Sequence, residues 1–302
     1  MYVLTVATLV GIYMILALGL NTITGLAGQV SLGHAAFFGV GAYTLALLTV
    51  AAGWPFWPAL AAAPLAAGAF GALIGALAIR VREDFLAIAT MGVNFVTVSV
   101  FLYVPLFGGA LGIGGIPGPS LGGVEFGKPA FLGLTAAAVG LALGLNLWLG
   151  RSWAGLALLA IREDEAAAGA AAIDVRKFKI VAFTLGTALA GLAGGLYASY
   201  LTFISAGDFG FPVSITILCM LVLGGIGTNR GALAGAAILG TAPELFRFLA
   251  DYRFLTYGTL LVLLMRFSPA GLLGDDSRLW QALRRRLAVG GAPAGVEAPR
   301  RP

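Results

Sequence analysis

Two hydrophobic runs, Tyr2 to Leu20 and Ala35 to Ala52, stand on either side of a polar break that carries Asn21, Thr22, Thr24, Gln29, Ser31 and His34 among glycines. Each run is long enough to cross a bilayer or nearly so. Polar groups and glycines at membrane depth are tolerated only where they face protein or a water-filled path. A broken helix lining a transport route answers that requirement. A tight polar turn at the membrane surface answers it too, and the stretch alone does not choose between them.

The rest of the chain repeats the pattern. It is 302 residues long, 60% hydrophobic and only 10% charged, against roughly 25% charge in soluble domains. An all-α, polytopic membrane protein with about eight to ten spans follows, with broken or re-entrant segments between some of them. The spans are expected at 3–24, 35–52, 57–79, 85–107, 131–150, 180–204, 212–228, 232–250 and 254–268. Residues 1–273 form one transmembrane domain, and 274–302 a basic tail with a surface helix near Trp280 followed by disorder. The N-terminus lacks the positive region of a cleavable signal peptide, so the first run is expected to stay as a span. The single cysteine, Cys219, rules out a disulfide within the chain and reads as a small core residue.

Lys and Arg set the orientation. One face collects 15 of them, from Arg80 and Arg82 through Arg151, Arg162 and Arg176 to Arg301; the other holds Lys128, Arg247 and Arg253. The first face is therefore cytoplasmic, and so is the C-terminus. On the outer side, Trp54 and Trp57 sit at headgroup level, and 108–130, with nine glycines and three prolines, is a loop that cannot be regular helix. Asp208 is expected to be solvated, and Glu244 to pair with Arg247.

Inside the membrane, Thr90, Asn94 and Thr97 share one helical face. Such a stripe either lines a solute path or serves local bonding, with Thr bonding back to its own helix and Asn bridging to a neighbour. Gly71 with Gly75, Gly191 with Gly195 and Gly231 with Gly235 are small-x-x-x-small pairs that let helices approach closely. The break Ser205 to Pro212 faintly echoes the first one, as an internal repeat would. On the cytoplasmic side, Arg151 to Gly169 reads as a short amphipathic helix. Its acidic cluster Glu163, Asp164 and Glu165 breaks the basic rule of its neighbours, which suggests a protein partner more than lipid.

Several chemistries are absent. None of the three lysines stands in a Gly-Lys-Ser/Thr motif, so no ATP site is expected in this chain. His34 is alone, with no cluster for a metal. No nucleophilic triad and no buried carboxylate relay can be assembled, and the positive balance reports orientation rather than nucleic-acid binding. The chain is expected to be a transport subunit and not an enzyme. Any uphill movement would draw its energy from elsewhere.

The stretch Leu18 to Tyr43, with Gly-Leu-Ala-Gly-Gln-Val-Ser-Leu-Gly-His-Ala-Ala-Phe-Phe-Gly at its centre, resembles the signature of bacterial branched-chain amino acid ABC transporter permeases. Ile161 to Glu165, Lys179 to Tyr200, Gly224 to Gly235 and the outer loop Gly108 to Pro117 resemble the LivM-type half of that pair, so the likeness runs from residue 10 to about 273. The resemblance implies an inner-membrane permease with four kinds of company: a second, homologous permease, two cytoplasmic ATP-binding subunits that hold ATP and Mg, a periplasmic solute-binding protein, and membrane lipid. It also implies that Arg162, Glu163, Asp164 and Glu165 lie in the element that couples to the ATPase. The Glu-Ala-Ala…Gly loop of other importers has a longer spacing than Glu165-Ala166-Ala167-Ala168-Gly169, so only its location carries over. Asn21, Thr24, Gln29, Ser31, His34, Thr90, Asn94 and Thr97 would line the path of a neutral, largely apolar solute. Two alternatives stay open: a stand-alone channel or secondary carrier, and the same importer type acting on urea, amides or aromatic acids.

Overall fold

The computed structural model describes residues 1–78, 83–121, 124–245, 258, 259, 262, 266, 271–274 and 277. Most of the expected last span and of the tail, and Arg247 of the expected Glu244–Arg247 pair, fall outside the described residues. Ten α-helices carry the described fold: α1 (Tyr2–Leu20), α2 (His34–Ala46), α3 (Phe56–Ala78), α4 (Glu83–Tyr103), α5 (Lys128–Arg151), α6 (Trp153–Glu163), α7 (Glu165–Ala170), α8 (Val175–Leu201), α9 (Phe211–Gly224) and α10 (Asn229–Leu245). Seven helical stretches among the described residues are long and apolar enough to cross a membrane, beginning with Tyr2–Leu26 and His34–Ala51. The fold is all-α and polytopic, and the helices agree with the expected spans to within a few residues. One departure is the end of α4. It stops at Tyr103 instead of running to 107, because Val104, ahead of Pro105, is extended, the conformation that a following proline imposes.

The helices exist because their runs are apolar and uncharged, which leaves helical hydrogen bonding as the way to satisfy backbone groups in lipid. α8 is the axis of the packing, lying along α2 and α3 and also touching α1. Its seam with α3 is lined by glycines. A Cβ on Gly71 would overlap the Thr187 hydroxyl, one on Gly75 would stand 3.2 Å from Phe183 Cβ, and Gly191 and Gly195 lie against Ala67 and Leu60. A second seam joins α9 to α10, where Gly235 lies against the Met220 carbonyl and Gly231 against the carbonyls of Gly224 and Gly225. Small residues bring backbones close enough for dispersion contacts to accumulate, which matters in lipid, where burying apolar surface between helices gains little. An aromatic cluster fills the space between α2, α4 and the turn before α9, with Tyr43 stacked on Phe101 at 4.1 Å and Phe209 edge-on to Phe38 at 5.1 Å.

The glycine-rich loop between α4 and α5 is tied down by short strands. β1 (Ile113–Gly114) pairs antiparallel with β4 (Phe203–Ile204), and β2 (Ser120–Leu121) pairs with β3 (Val124–Glu125). Trp57 Nε1 donates to the Ser120 carbonyl at 2.9 Å and Ser199 Oγ to the Pro117 carbonyl at 3.0 Å. Asp208 is half-buried rather than solvated. Its carboxylate accepts from the Ser205 amide and hydroxyl at 2.8 and 2.9 Å, a capping box for the turn that leads into α9.

Candidate functional site

The first polar break begins inside a helix. Asn21 to Leu26 continue α1 as a π-helix, so the first span runs from Tyr2 to Leu26, a little beyond its expected end at residue 24. A π-turn spaces its hydrogen bonds one residue wider than an α-turn, and such turns concentrate at functional sites. The chain then leaves helix at Ala27, passes Gly28 at φ +70°, and re-enters helix only at His34.

The polar side chains of this passage are buried, although Val30, which lies among them, is 43% exposed. Asn21, Thr24, Gln29, Ser31 and His34 all lie below a tenth of their free exposure. Thr24 Oγ1 donates to the Gln29 carbonyl at 3.0 Å and closes the turn. Gln29 Oε1, Ser31 Oγ and both ring nitrogens of His34 make no well-formed hydrogen bond. The Leu16 carbonyl lies beside the His34 ring, and a Cβ on Gly19 would stand 3.3 Å from its Nε2.

The second break, 202–210, comes to the same place. Ala35 N, in the first turn of α2, donates to Ser214 Oγ in the first turn of α9 at 2.9 Å. Gly39 lies against Phe209 and Phe101. α4 spans both breaks with its polar face. Leu32 N donates to Thr90 Oγ1 at 3.0 Å, and Asn94 Nδ2 donates to the Phe209 carbonyl at 3.1 Å. Gly33 is needed for the first of these contacts, since a Cβ there would overlap the Thr90 carbonyl. Thr97 stands apart, because its hydroxyl only donates back to Val93 at 2.8 Å. So the stripe holds one residue of local bonding and two that clip the ends of broken helices. Asn94 Oδ1 remains buried without a partner.

Around the C-terminal end of α1 a third set of bonds gathers. Asn21 Oδ1 accepts from Gly227 N at 2.8 Å, and Asn21 Nδ2 donates to Asn229 Oδ1 at 3.2 Å. Thr22 Oγ1 lies 2.9 Å from Asn146 Oδ1 of α5. Beside this set opens a cavity of about 620 Å³ bordered by Leu26, Asn146, Arg151, Arg162, Thr228 and Asn229.

The charged segment divides its work. It forms two helices rather than one, because Asp164 is extended and its carboxylate accepts from the amides of Ala166 and Ala167 at 2.8 and 3.0 Å, capping α7. Glu165 is ion-paired with the buried Lys179 of α8. Arg162 turns inward, and its Nη1 donates to the Gly25 carbonyl at 2.6 Å. Glu163 stays exposed. On the same face of α6 lie Trp153, Leu156 and Leu159, which are 71%, 61% and 36% exposed, while Leu158 and Ile161 on the opposite face are buried against the end of α1. Sequence reasoning found the polar groups of the breaks and the charged cluster. It gave Ser214 and Asn146 no part in the site, and it read Asn229 only as a member of the glycine-rich stretch Gly224 to Gly231.

The comparisons with known proteins bear on this arrangement. Residues 2–267 match the family described as branched-chain amino acid transport system / permease component. The chain belongs to that family. It is 37% identical to the high-affinity branched-chain amino acid transport system permease protein LivM of Escherichia coli K12, over 89% of this chain and 69% of the relative. It is 27% identical to the LivH permease protein of the same organism, over 88% of this chain and 92% of the relative. No solved structure matches. The likeness to branched-chain amino acid permeases read from Leu18 to Tyr43, and to the LivM type read from the stretches 161–165, 179–200, 224–235 and 108–117, is thus shown, and with the helices described above the chain is a multi-pass membrane permease. Among the described residues no group of His, Cys, Asp and Glu is placed to hold a metal ion.

Proposed function

We propose that this chain is one permease subunit of an ATP-driven importer for branched-chain or related neutral amino acids, working by alternating access in the inner membrane with its C-terminus in the cytoplasm. The second permease would be a homologue of this chain. Two ATP-binding subunits, which carry ATP and Mg, would dock from the cytoplasm, and a periplasmic protein would deliver the solute.

One observation carries the reading: two helix breaks meet inside the fold, held by Thr90, Asn94 and Ser214, with Gln29, Ser31 and Asn94 presenting buried polar atoms that lack partners and His34 having only the Leu16 carbonyl beside its ring. Such atoms are costly where they stand, at about 1–3 kcal/mol each. A second conformation that offers them water or solute would account for their presence. The surroundings carry few charges, which suits a neutral, apolar amino acid better than an ion. The exposed stripe Trp153, Leu156 and Leu159 on α6, with Glu163 at its end, is the face offered to an ATPase. Aromatic and aliphatic anchors of this kind dominate interface energies.

The test is uptake by the complete complex in proteoliposomes with ATP on the ATPase side and the loaded binding protein on the other. Labelled leucine accumulating only with ATP is the expected result. Transport by this chain alone without ATP would overturn the reading in favour of a channel or carrier. Accumulation of urea, an amide or an aromatic acid instead of leucine would keep the importer and change its solute. Trp153→Ala with Glu163→Arg should reduce ATPase co-purification about tenfold or more, since interface anchors of this kind are worth about 2 kcal/mol. Co-purification at the unmodified level would remove α6 from the interface.

A further inference from the structure

Arg162 lies in the charged segment and is exposed as a residue, yet one end of its guanidinium is held by the fold. It reaches across to Gly25 O, inside the π-turn that ends the first span. The socket that receives it is built from glycines with left-handed backbone. A Cβ on Gly28 (φ +70°) would stand 3.1 Å from Arg162 Cγ, and one on Gly227 (φ +88°) would stand 2.7 Å from Nη1. Side chains there would close the socket, and L residues rarely adopt those φ values. Gly227 is itself fastened to the break, because its N–H donates to Asn21 Oδ1 at 2.8 Å. One guanidinium therefore touches both the broken end of α1 and the turn between α9 and α10.

We infer that Arg162 is a positioning residue, a strut that carries displacement of α6 into the π-turn of α1 and the 225–228 turn, so that movement at the cytoplasmic surface reaches the first break. This rests on the reading of α6 as the docking element. Three physical points support it. A charge-assisted bond to a carbonyl is directional and about twice as strong as a neutral one, so it transmits both push and pull. The apolar contacts of Leu158 and Ile161 with Leu26 and Ala27 back the strut from the same helix. The neighbouring charges are spent on other tasks, Asp164 on capping α7 and Glu165 on Lys179 of α8. The π-turn is a discrete alternative to α-helical bonding, and that gives the strut an element with two arrangements to bias.

The test uses the full complex in proteoliposomes and reads solute moved per ATP hydrolysed, alongside subunit ratio and melting temperature. Arg162→Met keeps the aliphatic stem and removes the donors; Arg162→Lys keeps a charge and a single ammonium. The expected result for Arg162→Met is unchanged subunit ratio and continued hydrolysis, with transport per ATP down about tenfold, the fold-change corresponding to one lost charge-assisted bond. Arg162→Lys should fall between. Unchanged transport per ATP in Arg162→Met would overturn the strut. So would a loss of transport that tracks lost assembly or lost melting temperature in both variants, since that marks a merely structural residue. The unmodified complex reports on the parent reading separately: if it transports without ATP, the docking assignment fails whatever the variants do.

Discussion

At the residue scale, the polar side chains near the breaks differ in what they hold. Asn94 bonds to a carbonyl on another element, whereas Thr97, on the same face, bonds only to its own helix. Asn94→Ala leaves the buried Phe209 carbonyl without that donor, and the cost should be about 1–3 kcal/mol. Thermal unfolding in detergent should show a lower midpoint. Thr97→Val removes only an internal bond and should stay within about 0.5 kcal/mol of the unmodified protein. Equal effects of the two substitutions would contradict the division of the stripe. The stripe was legible in the sequence because helical spacing puts 90, 94 and 97 on one face. Its partners were not, because Leu32 and Phe209 are brought to it by the fold and not by any local pattern.

At the element scale, the seams decide how closely helices approach. Gly71→Val would drive side-chain atoms into Thr187 of α8, where a Cβ alone already overlaps the hydroxyl. Overpacking of this kind costs about 1–3 kcal/mol, so the melting temperature should fall. Gly92, on α4, has open space around it, and Gly92→Ala should be neutral or stabilising by up to about 1 kcal/mol from helix propensity. A matching loss at both positions would mean that Gly71 does not set the α3–α8 distance. The three small-residue pairs were visible in the sequence, but which helices they join was not. The π-turn at Asn21–Leu26 also left no trace, since its residues would fit an α-turn as well; bonds to Gly227, Asn229 and Arg162 across the fold accompany it. The charged segment read as one helix because alanines favour helix on both sides of Asp164. The extended backbone at Asp164 and its capping of α7 divide it in two.

At the scale of the whole molecule, membrane class, span positions and family were readable from hydrophobic length and from the Leu18 to Tyr43 stretch, because lipid imposes helix on every long apolar run. What the fold adds is a connection from surface to interior. α6 presents Trp153, Leu156, Leu159 and Glu163 outward, and the same helix holds Arg162 against the broken end of the first span, which is joined in turn to the second break through α4 and α9. Under the proposed function, the chain would be half of a device whose energy enters from a cytoplasmic partner. The most direct test is to purify the chain gently from its native membrane and identify by mass spectrometry what accompanies it. The account predicts a second, homologous permease and two ATP-binding subunits. Recovery of this chain alone, still transporting in liposomes without ATP, would contradict it.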